Sequence, residues 1–384
     1  MHSKLPDVGT TIFTVMSRRA AELGAVNLGQ GFPDYPIDPQ LADLVADAMR
    51  EGHNQYAPMP GVPVLLEAIG ARLQQRHGLG LEPQQCITVT LGATEAIYSA
   101  IQALAGPGDE VIVFDPCYDS YDPAVRLAGA HCVHLPLAAP QFTYDWDAVR
   151  AAVNGRTRLI IINSPHNPSC TVLGEGDLDQ LAAIVEGRDI RVLSDEVYEH
   201  VVFDGRVHHS VLGHAQLRQQ AVAVYSFGKA LHATGLRVGY AVAPPQLTTE
   251  LRKVHQFNTF TIATPLQHAI ARYISAHPEA FSGLSAFFQA RRDLLTQLLQ
   301  GSALRVLPAA GSFFQLVDYS QCAALASLDD QAAAGLLLEQ AGVATIPLSP
   351  FYRQPPGHRL LRLCFAKREE TLREGAARLR HWTG

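Results

Sequence analysis

The residues able to do chemistry in this 384-residue chain collect just past short apolar runs. VAVYSF, from Val222, ends around Ser226 and leads to Gly228, Lys229 and, after ALHATGL, Arg237. That stretch offers a hydroxyl, an amine and a guanidinium. IRVLSD, from Ile190, ends in Asp195, with Glu196, Val197 and Tyr198 behind it. An acid at a buried strand end needs a partner, because an isolated carboxylate out of water is strongly penalised, and a structural arginine would serve as well as a ligand. RLIIIN, from Arg158, opens into Ser164, Pro165, His166, Asn167 and Pro168, where two prolines stiffen the loop and fix the direction of the Asn167 amide. CITVT, from Cys86, runs into Leu91, Gly92, Ala93, Thr94 and Glu95, a tight turn into a helix N-terminus whose free N–H groups favour an anion. Tyr118 follows EVIVF closely. Taken singly, each has a plain reading: a solvated lysine, a capping serine, a core tyrosine, an Asx turn. Together they hold an anion site, an amine able to form a Schiff base and a buried acid, which a phosphorylated aldehyde cofactor with a ring nitrogen requires.

These residues meet only if the apolar runs are strands of one sheet. From Cys86 to Ala243 short β-branched runs alternate with amphipathic stretches of helical length, the signature of a mostly parallel sheet covered by helices. Seven strands are expected: CITVT, EVIVF, HCVHL, RLIIIN, IRVLSD, VAVYSF and GYAVA. The fold class is therefore α/β, and in such sheets ligands sit beyond the carboxyl ends of the strands. The segment from about Thr248 to Gln300 reads as long helices. RVLPAAGSFFQLVDY, GVATIPLS and HRLLRLCFA read as strands of a smaller α+β domain, with helices at DDQAAAGLLLEQA and REETLREGAARLRHW. The first forty residues show little periodicity. The division expected is a large domain over 40–275 and a small one from 1–39 plus 276–384.

Composition removes several function classes. Thirty Lys plus Arg against 36 Asp plus Glu leave a net charge of −6, which argues against a nucleic-acid partner. No run approaches the ~20 apolar residues that cross a bilayer, and the N-terminus lacks signal-peptide order, so a cytoplasmic protein without a membrane partner is expected. The six cysteines show no C-x-x-C and no ligand-like spacing to histidine, so neither a disulfide framework nor a metal site is expected. G-x-x-x-x-G-K-[ST], G-x-G-x-x-G after a strand, H-E-x-x-H and G-x-S-x-G are all missing, which leaves nucleotide, zinc-protease and hydrolase readings without their motifs.

The ordered series NLGQGFPDYP, NQYAPMPGVPVLLEAI, TLGATEAIY, DPCYDSYDP, NSPHNP, SDEVYEH, SFGKALHATGLRVGY, KVHQF and LLRLCFAKREETL resembles the fold-type I, pyridoxal-phosphate-dependent aminotransferases of classes I and II. The wording is most similar to bacterial methionine aminotransferases and, more distantly, to kynurenine–glutamine transaminases. The resemblance implies pyridoxal 5'-phosphate as cofactor, with Lys229 holding it covalently and Asp195 paired with its ring nitrogen. It implies that Tyr198 and Asn167 bond the ring's phenolic oxygen and that Tyr118 stacks on the ring. Ala93, Thr94, Ser226 and Arg237 match the phosphate cradle, with Tyr56 reaching it from a neighbouring subunit. Arg362 matches the arginine that grips the substrate α-carboxylate, and Gly31 the backbone position beside that carboxylate. Phe32, Tyr35, Phe260 and Phe313 match positions near the side-chain pocket.

The implied reaction is ping-pong transfer of the α-amino group from methionine and aromatic amino acids to a 2-oxo acid, in a homodimer with shared active sites. Lys229, once displaced, serves as the base that moves the Cα proton. A kynurenine or glutamine transaminase with β-lyase side activity on cysteine conjugates is the alternative. A cofactor-sensing regulator or an inactive binding protein fits less well, the first for want of room before the motifs, the second because Lys229, Asp195 and Arg362 are all kept. Two departures stand out: Ala230 follows the lysine where close relatives carry Thr, and Phe313 stands where they carry Tyr.

Overall fold

The computed structural model describes residues 2–382. Seven strands form the central sheet in the spatial order Ile87–Leu91, Val238–Val242, Ala221–Ser226, Arg191–Asp195, Thr157–Asn163, Glu110–Asp115, His131–Pro136. Every neighbouring pair is parallel except those made by Val238–Val242, which runs antiparallel to both of its neighbours. The seven-stranded α/β architecture read from the sequence is thus the one the chain adopts.

Thr157–Asn163 shows why the runs are apolar throughout. Ile160 and Ile162 enter the hydrophobic cluster on one face of the sheet, while Leu159 and Ile161 enter the cluster on the other. Successive strand residues point to opposite faces, so a sheet covered on both sides must be apolar at every position. Helices Gly92–Leu104, Tyr121–Leu127 and Pro245–Asn258 contribute to one cover, and Pro63–His77, Glu175–Val185 and Thr264–Ala276 to the other.

The antiparallel strand has a consequence for the site. Its register pairs Val238 with Leu91 and Gly239 with Ser226, so its amino end lies at the carboxyl edge of its neighbours. Arg237, the residue before it, therefore arrives at the same edge as Gly92, Asp195 and Ser226.

A second sheet, of four antiparallel strands, follows the order Ile346–Pro347, Leu360–Cys364, Phe314–Asp318, Arg305–Val306. Leu360–Cys364 is an inner strand, which fixes Arg362 between Leu316 and Ile346. The first forty residues are more regular than their sequence indicates. Ile12–Glu22 is a helix capped by the Thr11 side chain, which accepts from the Thr14 N–H, and Val26–Asn27 pairs with Val343–Ala344. The helix is short and only Met16 and Ala20 are buried along it, so its apolar face is too narrow for a clear period.

Folding also groups thiols and a histidine that lie apart in the sequence. Asp115, Cys117 and His134, and likewise Asp122, Cys132 and His134, bring their polar atoms within 4.8 Å of one another. His134 Nδ1 meets Asp115 Oδ1 at 2.8 Å and Nε2 meets Asp122 Oδ1 at 3.4 Å. Burial opposes the charge on this ring, but the two carboxylates hold it protonated well above the usual histidine range. Burial likewise pushes the Cys117 thiol up to about 12. The grouping is an ion-paired sheet edge with protonated thiols beside it.

Candidate active site

One cavity opens at the carboxyl edge of the large sheet and is closed from the other side by the small one. It is lined by Gly31, Ala93, Thr94, Tyr118, Asn167, Asp195, Tyr198, Ser226, Lys229, Arg237 and Arg362, all singled out by the sequence, together with Phe13, Gln30, Ile97, Asn163, Val197 and Phe314. Three cations and one carboxylate face it. The balance of charge selects an anionic ligand, although the whole chain is acidic.

Arg362 is 1% exposed. Its Nη1 donates to Asn167 Oδ1 at 2.6 Å and its Nη2 to the Gly29 carbonyl at 3.2 Å, while Nε has no partner. The guanidinium carbon lies 3.9 Å from the centre of the Phe314 ring and 5.0 Å from that of Phe13. No ion pair among the described residues involves it. A buried guanidinium without an acid is costly, and burial disfavours its charged form. A carboxylate that enters the cavity supplies the missing counter-charge.

Lys229 lies in the Phe227–Ala230 turn that follows strand Ala221–Ser226, and its Nζ donates to the Gly31 carbonyl at 3.3 Å. Burial lowers its amine to about 8, with the positive fields of Arg237 and Arg362 acting in the same direction. A neutral amine is what nucleophilic and base chemistry needs. Asp195 ends its strand with Oδ2 accepting from the Tyr121 hydroxyl at 2.6 Å and Oδ1 from the Val197 N–H at 3.3 Å. Burial raises it to about 6 against the pull of those two donors and of Lys229. Both groups are tuned towards neutral pH by the same loss of water.

The anion end is built from backbone and arginine. Helix Gly92–Leu104 starts at Leu91 without a side-chain cap, so its first N–H groups stay free. Gly92 has φ +68°, and a Cβ there would stand 2.6 Å from Arg237 Nη2; at Gly239 a Cβ would stand 2.7 Å from the Ala93 nitrogen. Only glycines leave room for the guanidinium and the helix turn to lie side by side. Asn163 orders the centre: its Oδ1 accepts from the Asn167 N–H at 2.8 Å and its Nδ2 donates to the Asp195 carbonyl at 2.8 Å.

Five of the sequence-derived residues do not line this cavity. Tyr56 is 85% exposed and meets Phe260, 41% exposed, edge to face at 5.6 Å. Phe32 lies under the Lys367 amine, 4.8 Å from its ring centre. Tyr35 packs against His232 and Phe287 in a separate hollow. Phe313 is fully buried with its ring 4.9 Å from Tyr198 and 5.2 Å from the Lys229 amine, whereas its neighbour Phe314 faces the cavity. Sequence reasoning missed Phe13, Asn163, Tyr121 and Phe314. Asn163, as the polar end of RLIIIN, carried the same signal as Asp195; the other three have none outside the folded chain.

An amine, a buried acid and an anion cradle face one cavity, a set that suits a carbonyl cofactor bearing an anionic group. Residues 24–379 match the family model for aminotransferases of class I and II. The chain belongs to that family and is an aminotransferase. Methionine aminotransferase of Escherichia coli (strain K12) is 49% identical over 378 residues, which cover 98% of this chain and 97% of that protein. Kynurenine–oxoglutarate transaminase 1 of Mus musculus is 31% identical over 401 residues, covering 96% and 94%. A crystal structure of an Escherichia coli protein, YbdL, in which a methionine aminotransferase function was identified, superposes with a TM-score of 0.96 at 49% identity over 100% of this chain and 99% of that one. Members of the family depend on pyridoxal phosphate, and the residues present fit it: the two glycines keep the cradle open, and the Asp195 carboxyl and the Lys229 amine line the same cavity.

Proposed function

We propose that this chain transfers the α-amino group of methionine and of aromatic amino acids to a 2-oxo acid by a ping-pong mechanism. The observation that carries the reading is the convergence of the Lys229 amine, the Asp195 carboxyl and the unpaired Arg362 guanidinium on a single cavity. Pyridoxal 5'-phosphate, when bound, supplies an aldehyde and an electron-withdrawing ring that makes the substrate Cα–H acidic. Arg362, oriented by Asn167 and Gly29, grips the substrate α-carboxylate and so fixes which bond faces the amine. Lys229 would take the Cα proton and hold it on Nζ for return. Asp195 holds a proton at the ring nitrogen, with Tyr121 keeping its carboxyl in place. Ala93, Thr94, Ser226 and Arg237 would hold the phosphate, Asn167 and Tyr198 the phenolic oxygen, and Tyr118 would stack on the ring.

The remaining predicted residues belong to a dimer in this reading. Tyr56 and Phe260 form an exposed aromatic pair that does not serve their own cavity. They would enter the neighbouring subunit's site, Tyr56 at the phosphate and Phe260 at the side-chain pocket. Phe32, Tyr35 and Phe313 shape that pocket from behind. A large domain over 40–275, a small domain from 1–39 plus 276–384 and a cytoplasmic location complete the proposal.

The similarity to a kynurenine–oxoglutarate transaminase supports a second reading, in which kynurenine or glutamine is the better donor. One panel decides between them. The holoenzyme is mixed with methionine, phenylalanine, tyrosine, kynurenine, glutamine and aspartate against one fixed 2-oxo acid. Methionine and the aromatic amino acids should lead; faster turnover of kynurenine or glutamine would replace the first reading by the second.

A further inference from the structure

Two residues in the recognisable motifs have no part in the reaction above, Glu95 of TLGATEAIY and His255 of KVHQF. The fold brings them together in the core, where His255 has no exposed surface and Glu95 is 7% exposed. Glu95 Oε1 accepts from the Ser99 hydroxyl at 2.6 Å and faces His255 Nδ1 at 3.0 Å. Its other oxygen accepts from the Leu91 N–H at 3.2 Å. Leu91 immediately precedes helix Gly92–Leu104, so this carboxyl ties down the turn from which Ala93 and Thr94 face the cavity.

The far side of the imidazole reaches a different structure. His255 Nε2 lies 3.2 Å from the Met59 carbonyl. A backbone carbonyl only accepts, so Nε2 donates, and Nδ1 shares a proton with the Glu95 carboxyl. Met59 belongs to the loop that carries Tyr56, and the carbonyl of His255 accepts from the Phe260 N–H at 2.8 Å. The His255 side chain thus links the anion-binding turn of its own cavity, through Glu95, to the loop that carries Tyr56, while its backbone carbonyl holds Phe260.

We propose that Glu95 and His255 are a positioning pair that couples the two active sites of the dimer. The Nδ1 side fixes the phosphate turn of its own subunit, and the Nε2 side fixes the loop that delivers Tyr56 to the neighbour. The proposal rests on the shared-site dimer described above. Leaving either buried bond unmade is costly, so a displacement of one structure is felt by the other. Neither residue lines the cavity, and their action is through Leu91 and Met59.

Hybrid dimers test this. One subunit carries Lys229→Ala, so the cofactor's absorbance band at the lysine reports only the other subunit. His255→Asn keeps a donor near the Nδ1 position and loses Met59; His255→Gln keeps one near Nε2 and loses Glu95. Pyridoxal phosphate affinity at the Lys229-bearing site should fall about tenfold with His255→Asn on the Lys229→Ala subunit, and equally with His255→Gln on the Lys229-bearing subunit. The two opposite placements should leave it nearly unchanged. Losses that ignore placement, or that occur only within one chain, overturn the proposal. If both variants fail to fold, Glu95→Ala and Glu95→Gln replace them: Ala must weaken the site of its own subunit and Gln, which still accepts from Leu91, must spare it, and equal losses overturn the coupling. Sedimentation of the unmixed protein reads the dimer separately. A monomer there removes the shared-site reading itself, whereas a stable dimer with placement-independent losses removes only the coupling.

Discussion

Arg362 donates to the Asn167 side-chain oxygen at 2.6 Å, a bond between the small antiparallel sheet and the loop after strand Thr157–Asn163. Asn167 is in turn held by Asn163. The guanidinium therefore has a fixed direction before a substrate arrives, yet no ion pair among the described residues. Position comes from neutral partners, and the charge is kept for the ligand.

Arg362→Met should lower kcat/KM for methionine about 10²-fold or more, the scale of losing a buried charged hydrogen-bond partner. The melting temperature should hold or rise, because an unpaired buried charge is removed. Steady-state kinetics and thermal melts check both. Methionine amide, which lacks the carboxylate, should lose far less; equal losses for acid and amide would remove Arg362 from carboxylate binding.

Asp195→Asn should trade function for stability. Burial raises the folded pKa from 3.8 to about 6, so across that window the folded chain binds more protons than the unfolded one. Stability then falls as pH climbs from 3.8 to 6, and the full penalty stays above 6. The cofactor-free Asn variant should be more stable than its parent at pH 7, by up to about 3 kcal/mol, and should not show that fall. Its turnover should drop sharply. Urea titrations at pH 4 and 7 measure the first effect, and identical pH profiles for parent and variant would contradict it.

Lys229 has the opposite sign. Its amine is lowered from 10.5 to about 8, so between those values the unfolded chain holds more protons and stability of the cofactor-free protein rises with pH. Cofactor loading, followed by absorbance, should quicken through pH 8 and level off above it as the amine becomes neutral. Lys229→Met should abolish the covalent band and flatten the stability gain.

Gly31→Ala should damage carboxylate binding through packing. A Cβ at Gly31 would stand 2.8 Å from Phe314 Cζ and 3.0 Å from its Cε1. That ring lies on the Arg362 guanidinium and cannot move without disturbing it. KM for methionine should rise about tenfold with kcat less affected, at a cost of about 1–3 kcal/mol in stability from overpacking. Unchanged KM would mean that the ring relaxes freely.

The legible part of this protein is the central sheet and its polar ends. RLIIIN, IRVLSD and VAVYSF could be read because a strand covered on both faces is apolar at every position, so a polar residue at its end stands out. The same rule failed at Phe313 and Phe314. Phe314 opens its strand and Phe313 stands just before it, and two successive phenylalanines give no sign of which one faces the cavity. Tyr121 reaches Asp195 across 74 positions and could not be anticipated from spacing. The thiols beside His134 were missed for the same reason, since Cys117 and Cys132 come from different elements.

By itself the sequence determined the class of chemistry, because an amine, an acid and an anion-binding turn stand at the ends of strands that local periodicity defines. It also determined the seven-stranded α/β fold, because burial on two faces leaves a compositional mark along each strand. Only the tertiary structure decided that the last strand of the sheet runs backwards and so carries Arg237 to the edge where Gly92 begins its helix. Only it decided that Arg362 has no ion-pair partner among the described residues, and that Glu95 and His255 meet 160 positions apart. Charge pairing and side-chain direction depend on contacts between elements distant along the chain, and no local pattern records them.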